Sequence, residues 1–293
     1  MTATWKRLIR FVAQDGKIYR GEPIVSETDY DVGKQFLEGK TIKAKVVTGN
    51  IFSDAVVTDE VLEVKTLLGP LTKEDVPIVK CIGLNYMKHI QEGGRTPPPY
   101  PSVFYKPNFS VADFGEDIPI PKIAQENQLD YEGELCVVIG KTGKDIKEEE
   151  ALSYVAGYVS GNDVSSRTWQ KDPKFAGGVP QWGFSKSFDK YAPLGPALVS
   201  TQIITNPGTL QLQTRVNGEL RQETNTDDLL FNIPKIIAFI SQSTTLEQGT
   251  VIMTGTPSGV AMGMKVPKYL QHGDEVQVSI EQIGTLSNKM NFN

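Results

Sequence analysis

The chain has 293 residues, 39% of them hydrophobic and 22% charged, which is ordinary for a globular protein and enough to bury one large core. Its net charge of −5 provides no general field for nucleic acid, and no Lys/Arg run supplies a local one. No apolar stretch approaches the roughly 20 residues that span a bilayer, so no membrane partner is expected. Lys6, Arg7 and Arg10 precede no apolar segment or small-residue cleavage site, and residues 2–7 are too short a stretch to identify a mitochondrial leader. Cys81 and Cys136 each lie in an apolar run. They read as core residues of a cytoplasmic protein rather than as a disulfide.

The first 71 residues read as short strands and turns. Residues 8–12 and 17–21 flank Asp15-Gly16, a hairpin signal, and residues 44–47 and 54–57 extend the pattern. Gly69-Pro70 is a breaker and the expected boundary, giving a small N-terminal β domain over 1–71 and a second, larger domain over 72–293. Residues 76–83 form a buried strand ending at glycine. Beyond them, Gly93-Gly94 and Pro97-Pro-Pro-Tyr-Pro101 mix flexible and stiff segments, as a catalytic lid or a plain surface loop would.

Further strands are expected at 102–105, 135–139, 155–159, 194–199, 210–216, 251–254 and 275–280, with Asn217-Gly218 as a tight turn. Residues 147–152 suggest one helical turn. Residues 227–240 suggest a longer helix, with Pro234 near its start or kinking it. The sum is an α+β, β-rich chain.

The chemistry concentrates in Asp130-Tyr-Glu-Gly-Glu134. Glu132 and Glu134 are two apart on a strand, hence on one face, beside an apolar run. Two buried like charges need a partner, and the simplest is a hard divalent cation bound through oxygen: Mg²⁺, Mn²⁺ or Ca²⁺. Asp163, at the end of another strand, is either a third oxygen ligand or a helix N-cap. If a helix runs on from Asp163, then Arg167 and Gln170 share its face and offer an anion clamp and a neutral donor.

His89 and Glu92, three apart, form either a proton-moving pair or part of an exposed loop. His272, in a turn, reads as surface. Lys186, flanked by aromatic residues, either stabilises an oxyanion or snorkels to the surface. Thr254-Gly-Thr-Pro-Ser-Gly-Val260 can present N–H groups and the Thr256 hydroxyl to an anion, but lacks phosphate-loop spacing.

Taken in order, several of these stretches resemble the fumarylacetoacetate hydrolase family, in particular its short members with a small N-terminal part. The matching segments are Gly83-Leu-Asn-Tyr86 with His89 and Glu92, Tyr131-Glu-Gly-Glu134, residues 157–170 and Lys186-Ser-Phe-Asp189. They continue with Pro193-Leu-Gly-Pro196, Arg215-Val-Asn-Gly218, residues 254–260 and Gly273-Asp-Glu-Val276.

The resemblance implies a mixed β-sandwich roll around the active site, and a homodimer. It implies Mg²⁺ on Glu132, Glu134 and Asp163, with Mn²⁺ or Ca²⁺ as substitutes. His89 and Glu92 would be a water-activating pair on a lid, Lys186 would stabilise an oxyanion, and Arg167, Gln170 and Thr256 would hold the substrate. The implied reaction converts a small 2-oxo or β-diketo acid through a metal-bound enolate. Its forms are C–C hydrolysis of an acylpyruvate or fumarylpyruvate, or decarboxylation or tautomerisation of oxaloacetate; the overall match leans toward oxaloacetate. A metal-binding scaffold that lost turnover is the alternative, and His89 beside Glu92 argues against it.

Overall fold

The computed structural model describes residues 4–293. The leader question at residues 2–7 therefore falls partly outside the described residues. Among the described residues, no helix is long and apolar enough to cross a membrane.

An 11-stranded mixed sheet dominates the fold, and a five-stranded sheet packs on it. The strand Gly133–Ile139 shows why the two faces differ. It is buried throughout, and side chains alternate along it. Leu135, Val137 and Ile139 enter the larger core, together with Leu212, Val276, Val278 and Ile280 of the five-stranded sheet. Cys136 and Val138 enter a second core on the opposite face with Cys81, Val159 and Met253. Glu134 shares the parity of Cys136, so it belongs to that second face. Both cysteines are free and buried, as expected.

Local turn chemistry matches the sequence. Asp15-Gly16 closes the hairpin between Arg7–Ala13 and Ile18–Pro23; Gly16 has φ +81°, and Asp15 Oδ1 accepts the Lys17 N–H at 2.9 Å. Asn217 and Gly218 both have positive φ and join Gln211–Val216 to Glu219–Asn225. The large sheet crosses the expected boundary at 71/72. Arg7 and Leu8 pair with Val199 and Leu198 of the strand Ala192–Ser200.

Two helical expectations change. The helix expected from residue 227 begins at Ile233 and ends at Ile240. Pro234 sits in its first turn, where a missing N–H costs nothing, and the Asn232 side chain caps it by accepting from the Lys235 N–H. Residues upstream are drawn away by Asn85, whose side chain bonds both the N–H and the carbonyl of Phe231. In place of the turn expected at 147–152, a 3₁₀ stretch runs over Glu148–Tyr154, with Lys147 just before it.

Candidate active site

Strand register assembles the three carboxylates. Gly133 pairs with Asn162 and Glu134 with Gly161. One step beyond, Glu132 faces Asp163, whose N–H donates to the Glu132 carbonyl at 2.8 Å. Glu134 on the strand, Glu132 just before it and Asp163 just past its neighbour therefore share a face. One oxygen from each of Glu132, Glu134 and Asp163 lies within 4.8 Å of the other two, and all three residues are buried. Gly161 opposite Glu134 makes room for the second core, since a Cβ there would stand 2.5 Å from Cys136 Sγ.

The helix expected to carry Asp163 starts later, at Arg167, and runs to Lys171. Residues Ser165–Ser166 pair instead with Leu129–Asp130, so Asp163 is not the cap of that helix. Arg167 and Gln170 still meet, with Arg167 donating to Gln170 Oε1 at 3.0 Å.

Cations surround the cluster. Lys186, from the helix Trp182–Lys186, lies 2.7 Å from Glu132 and 2.6 Å from Asp163. Arg167 lies 2.7 Å from Glu132 and 2.8 Å from Asp130. Lys106, at the end of the edge strand Ser102–Lys106, lies 2.5 Å from Asp163 and donates to the Tyr191 carbonyl. Burial disfavours the charge on Glu132, but Lys186 and Arg167 outweigh it and hold its carboxyl down at about 2. Glu134 receives a hydrogen bond from the Gly255 N–H at 2.7 Å. Burial, with Asp163 and Glu132 beside it, pushes its carboxyl well above the usual range. Burial also opposes the charge on Lys186, yet Asp163 and Glu132 prevail and raise its pKa.

The residues fit a hard divalent ion. The donors are all carboxylate oxygens, and Glu134 is the member whose charge the surrounding cations leave under-compensated.

A cavity of about 280 Å³ opens at Glu132 and is also lined by His89, Glu92, Arg167, Gln170, Lys186 and Thr256. Of the expected residues, Glu134 and Asp163 do not line it and reach it only through Glu132, beside which they lie. His89 and Glu92 share the short helix Met87–Glu92, with Nδ1 and Oε2 3.1 Å apart. His272 lies apart, accepting the Phe292 N–H at 3.0 Å. The Thr256 hydroxyl donates to the Gly133 carbonyl at 3.1 Å and accepts from Gln222 Nε2 at 2.8 Å. In the turn that follows the strand Val251–Met253, the N–H groups of Gly255 and Gly259 serve the chain's own Glu134 and Glu92.

Sequence reasoning passed over Asp130, Lys106 and Gln222. Asp130 had a signal, since it shares the parity of Glu132 and Glu134. Lys106, in Phe-Tyr-Lys-Pro, had none; only the tertiary fold buries it against Asp163.

Comparison with known proteins places the site in context. The family described as "Fumarylacetoacetate (FAA) hydrolase C-terminal" matches residues 78–291. The chain is 41% identical to a caffeoylpyruvate hydrolase of Neonothopanus nambi over 98% of its own length and 94% of that protein's. It is 44% identical to an oxaloacetate tautomerase of Bacillus subtilis over 78% and 73%. Among solved structures, a 5-carboxymethyl-2-hydroxymuconate delta-isomerase from Mycobacterium smegmatis superposes with a TM-score of 0.79. It is 30% identical, and the match covers 98% of this chain and all of that one.

Proposed function

We propose that this chain, which belongs to the fumarylacetoacetate hydrolase family, is a Mg²⁺-dependent enzyme that cleaves the C–C bond of an acylpyruvate-type 2,4-dioxo acid. The observation that carries this reading is the cavity itself. A polar floor of Glu132, Arg167 and Lys186 meets apolar walls of Ile82, Phe104, Trp182 and Val260. A pyruvyl head suits the floor and an acyl arm suits the walls. The full-length likeness to a caffeoylpyruvate hydrolase supports the same choice.

Glu132, Glu134 and Asp163 would hold the ion. When bound, it supplies a Lewis acid that polarises the keto oxygen and stabilises the charge developing there. The remaining work falls to the chain. Glu92 only accepts, so it orients the His89 imidazole with the proton on Nδ1 and leaves Nε2 as the base. Nε2 takes a proton from water, and the resulting hydroxide adds to the acyl carbonyl. The C–C bond then breaks, releasing a carboxylic acid and the enolate of the 2-oxo acid, which takes the proton back. Lys186 remains charged and offsets the growing negative charge. Gln170 gives its carbonyl to Arg167, so its amide N–H groups are left for substrate. Thr256 lies in the cavity wall, but its hydroxyl proton is given to the Gly133 carbonyl, so a contact with the substrate carboxylate would fall to its backbone N–H.

A second reading has its own observation. Arg95 and Lys171 also line the cavity and would suit the second carboxylate of oxaloacetate, for tautomerisation or decarboxylation. Relatives named oxaloacetate tautomerase support it. Product analysis with acylpyruvates and oxaloacetate, each with Mg²⁺, separates the two. Carboxylic acid plus pyruvate supports hydrolysis; enol loss or CO₂ from oxaloacetate alone favours the second reading. No turnover of any 2-oxo acid with Mg²⁺ or Mn²⁺ would favour a scaffold that has lost turnover. A homodimer in the cytoplasm is our expectation for the working form, tested by light scattering and cell fractionation.

A further inference from the structure

We propose that Gly263 is a positioning residue of this reaction: its missing side chain is the space in which Glu92 is held against His89. The inference rests on the reading of His89 as the base. The Glu92 carboxylate has three neighbours. Oε2 meets His89 Nδ1 at 3.1 Å, and Oε1 accepts the Gly259 N–H at 3.0 Å. The third neighbour is the bare Cα of Gly263, where a Cβ would lie 2.7 Å from Cδ, 2.8 Å from Oε2 and 3.0 Å from Oε1 of Glu92. The seat is therefore lined by two glycines, one giving a hydrogen bond and the other giving room.

That seat is fixed from behind. Gly259 has φ +97°, and a Cβ there would stand 2.0 Å from the Arg221 carbonyl oxygen, so this backbone cannot shift toward Arg221. The Tyr131 hydroxyl donates to the Gly259 carbonyl at 2.8 Å. Between the two glycines, Asp130 accepts the N–H groups of Ala261 at 2.8 Å and Met262 at 3.0 Å, and the same carboxylate binds Arg167. With its backbone tied to the Asp130-Tyr131 corner, the loop cannot easily move back. A side chain added at 263 therefore displaces the movable partner, the Glu92 carboxylate. Gly263 itself is exposed, ends the short 3₁₀ turn Ala261–Gly263, and has no positive φ, so alanine suits its backbone. The substitution should leave the fold intact and misplace one carboxylate.

Gly263→Ala tests this in two ways. The first is free of turnover. His89 and His272 are the two histidines, so the imidazole ¹⁵N signals of labelled, metal-free protein can be assigned with His89→Ala. The His89 signals of Gly263→Ala should move to match those of Glu92→Ala, with an unchanged melting temperature and unchanged Mg²⁺ affinity by calorimetry. The second is kinetic, with acetylpyruvate and Mg²⁺. A general base contributes about 10²–10⁴-fold, so losing its orienting partner should lower kcat by about tenfold or more. KM should hold, and adding Gly263→Ala to Glu92→Ala should cost nothing further. Unmoved His89 signals, or an equal loss in the Glu92→Ala background, would overturn the proposal. Full turnover in His89→Ala would instead overturn the reading of His89 as the base, and the ring signals would still decide whether Gly263 positions Glu92.

Discussion

Glu132 and Glu134 are two residues apart on the same strand face, yet their surroundings push them in opposite directions. Glu132 is drawn from its ordinary value near 4.5 down to about 2 despite burial, by Lys186 and Arg167. It favours the folded state above pH ~4.5, and that contribution is lost as pH falls toward 2. Glu134 is raised by burial and by its acidic neighbours, so the folded protein binds a proton that the unfolded chain has released. Its contribution is present below its ordinary value and declines as pH rises. In chelator, the stability of the metal-free protein should therefore fall as pH climbs from 5 upward, measured by urea unfolding; saturating Mg²⁺ should flatten that slope. Glu132→Ala should abolish Mg²⁺ binding and turnover together, and activity surviving in chelator would refute a metal role. Lys106→Met removes one partner from a fully buried ion pair, and such a loss costs about 3–5 kcal/mol. A denaturation midpoint equal to wild type would show that Lys186 alone satisfies Asp163. Parity along a strand made Glu132 and Glu134 legible in the sequence and carried an unused signal for Asp130, whereas the Lys106–Asp163 pair depends on strand order, which no local pattern encodes.

At the scale of elements, period-two alternation located most strands because one face of each is apolar. The helices were less legible. Apolar spacing from Leu229 to Ile240 suggested one helix, but Asn85 holds Phe231 in a bend, and the helix waits for Asn232 and Pro234. The segment after the helix Met87–Glu92 combines glycines and prolines, as a lid would, and its far end rests on the helix Ile233–Ile240. There the Tyr100 ring stacks on Phe239 at 6.1 Å and 16°. Such pairs are worth about 0.5–1.5 kcal/mol, enough to bias the segment without locking it. Tyr100→Ala should speed proteolysis within residues 93–99 and raise KM while leaving the melting temperature unchanged; an unaltered cleavage rate would show that the ring pair does not hold the segment.

Across the whole molecule, the N-terminal strands and the site-bearing strands form one continuous sheet. Ile9 and Phe11 lie in the larger core, and Leu8 lies in the second with Cys136 and Met253. We propose that residues 1–71, although they carry none of the cavity residues, are an inseparable part of the fold. Deleting them would bare one edge of Ala192–Ser200 and unpack both cores. Thermal unfolding should show a single transition, and a soluble, active 72–293 fragment would refute this. Lys186 stands between Glu132 and Asp163, so the chain brings its own counter-charge to the place where it asks for an ion. We propose that folding need not wait for metal: the enzyme would accumulate as an intact, idle stock, and its working fraction would follow the supply of divalent cation around it.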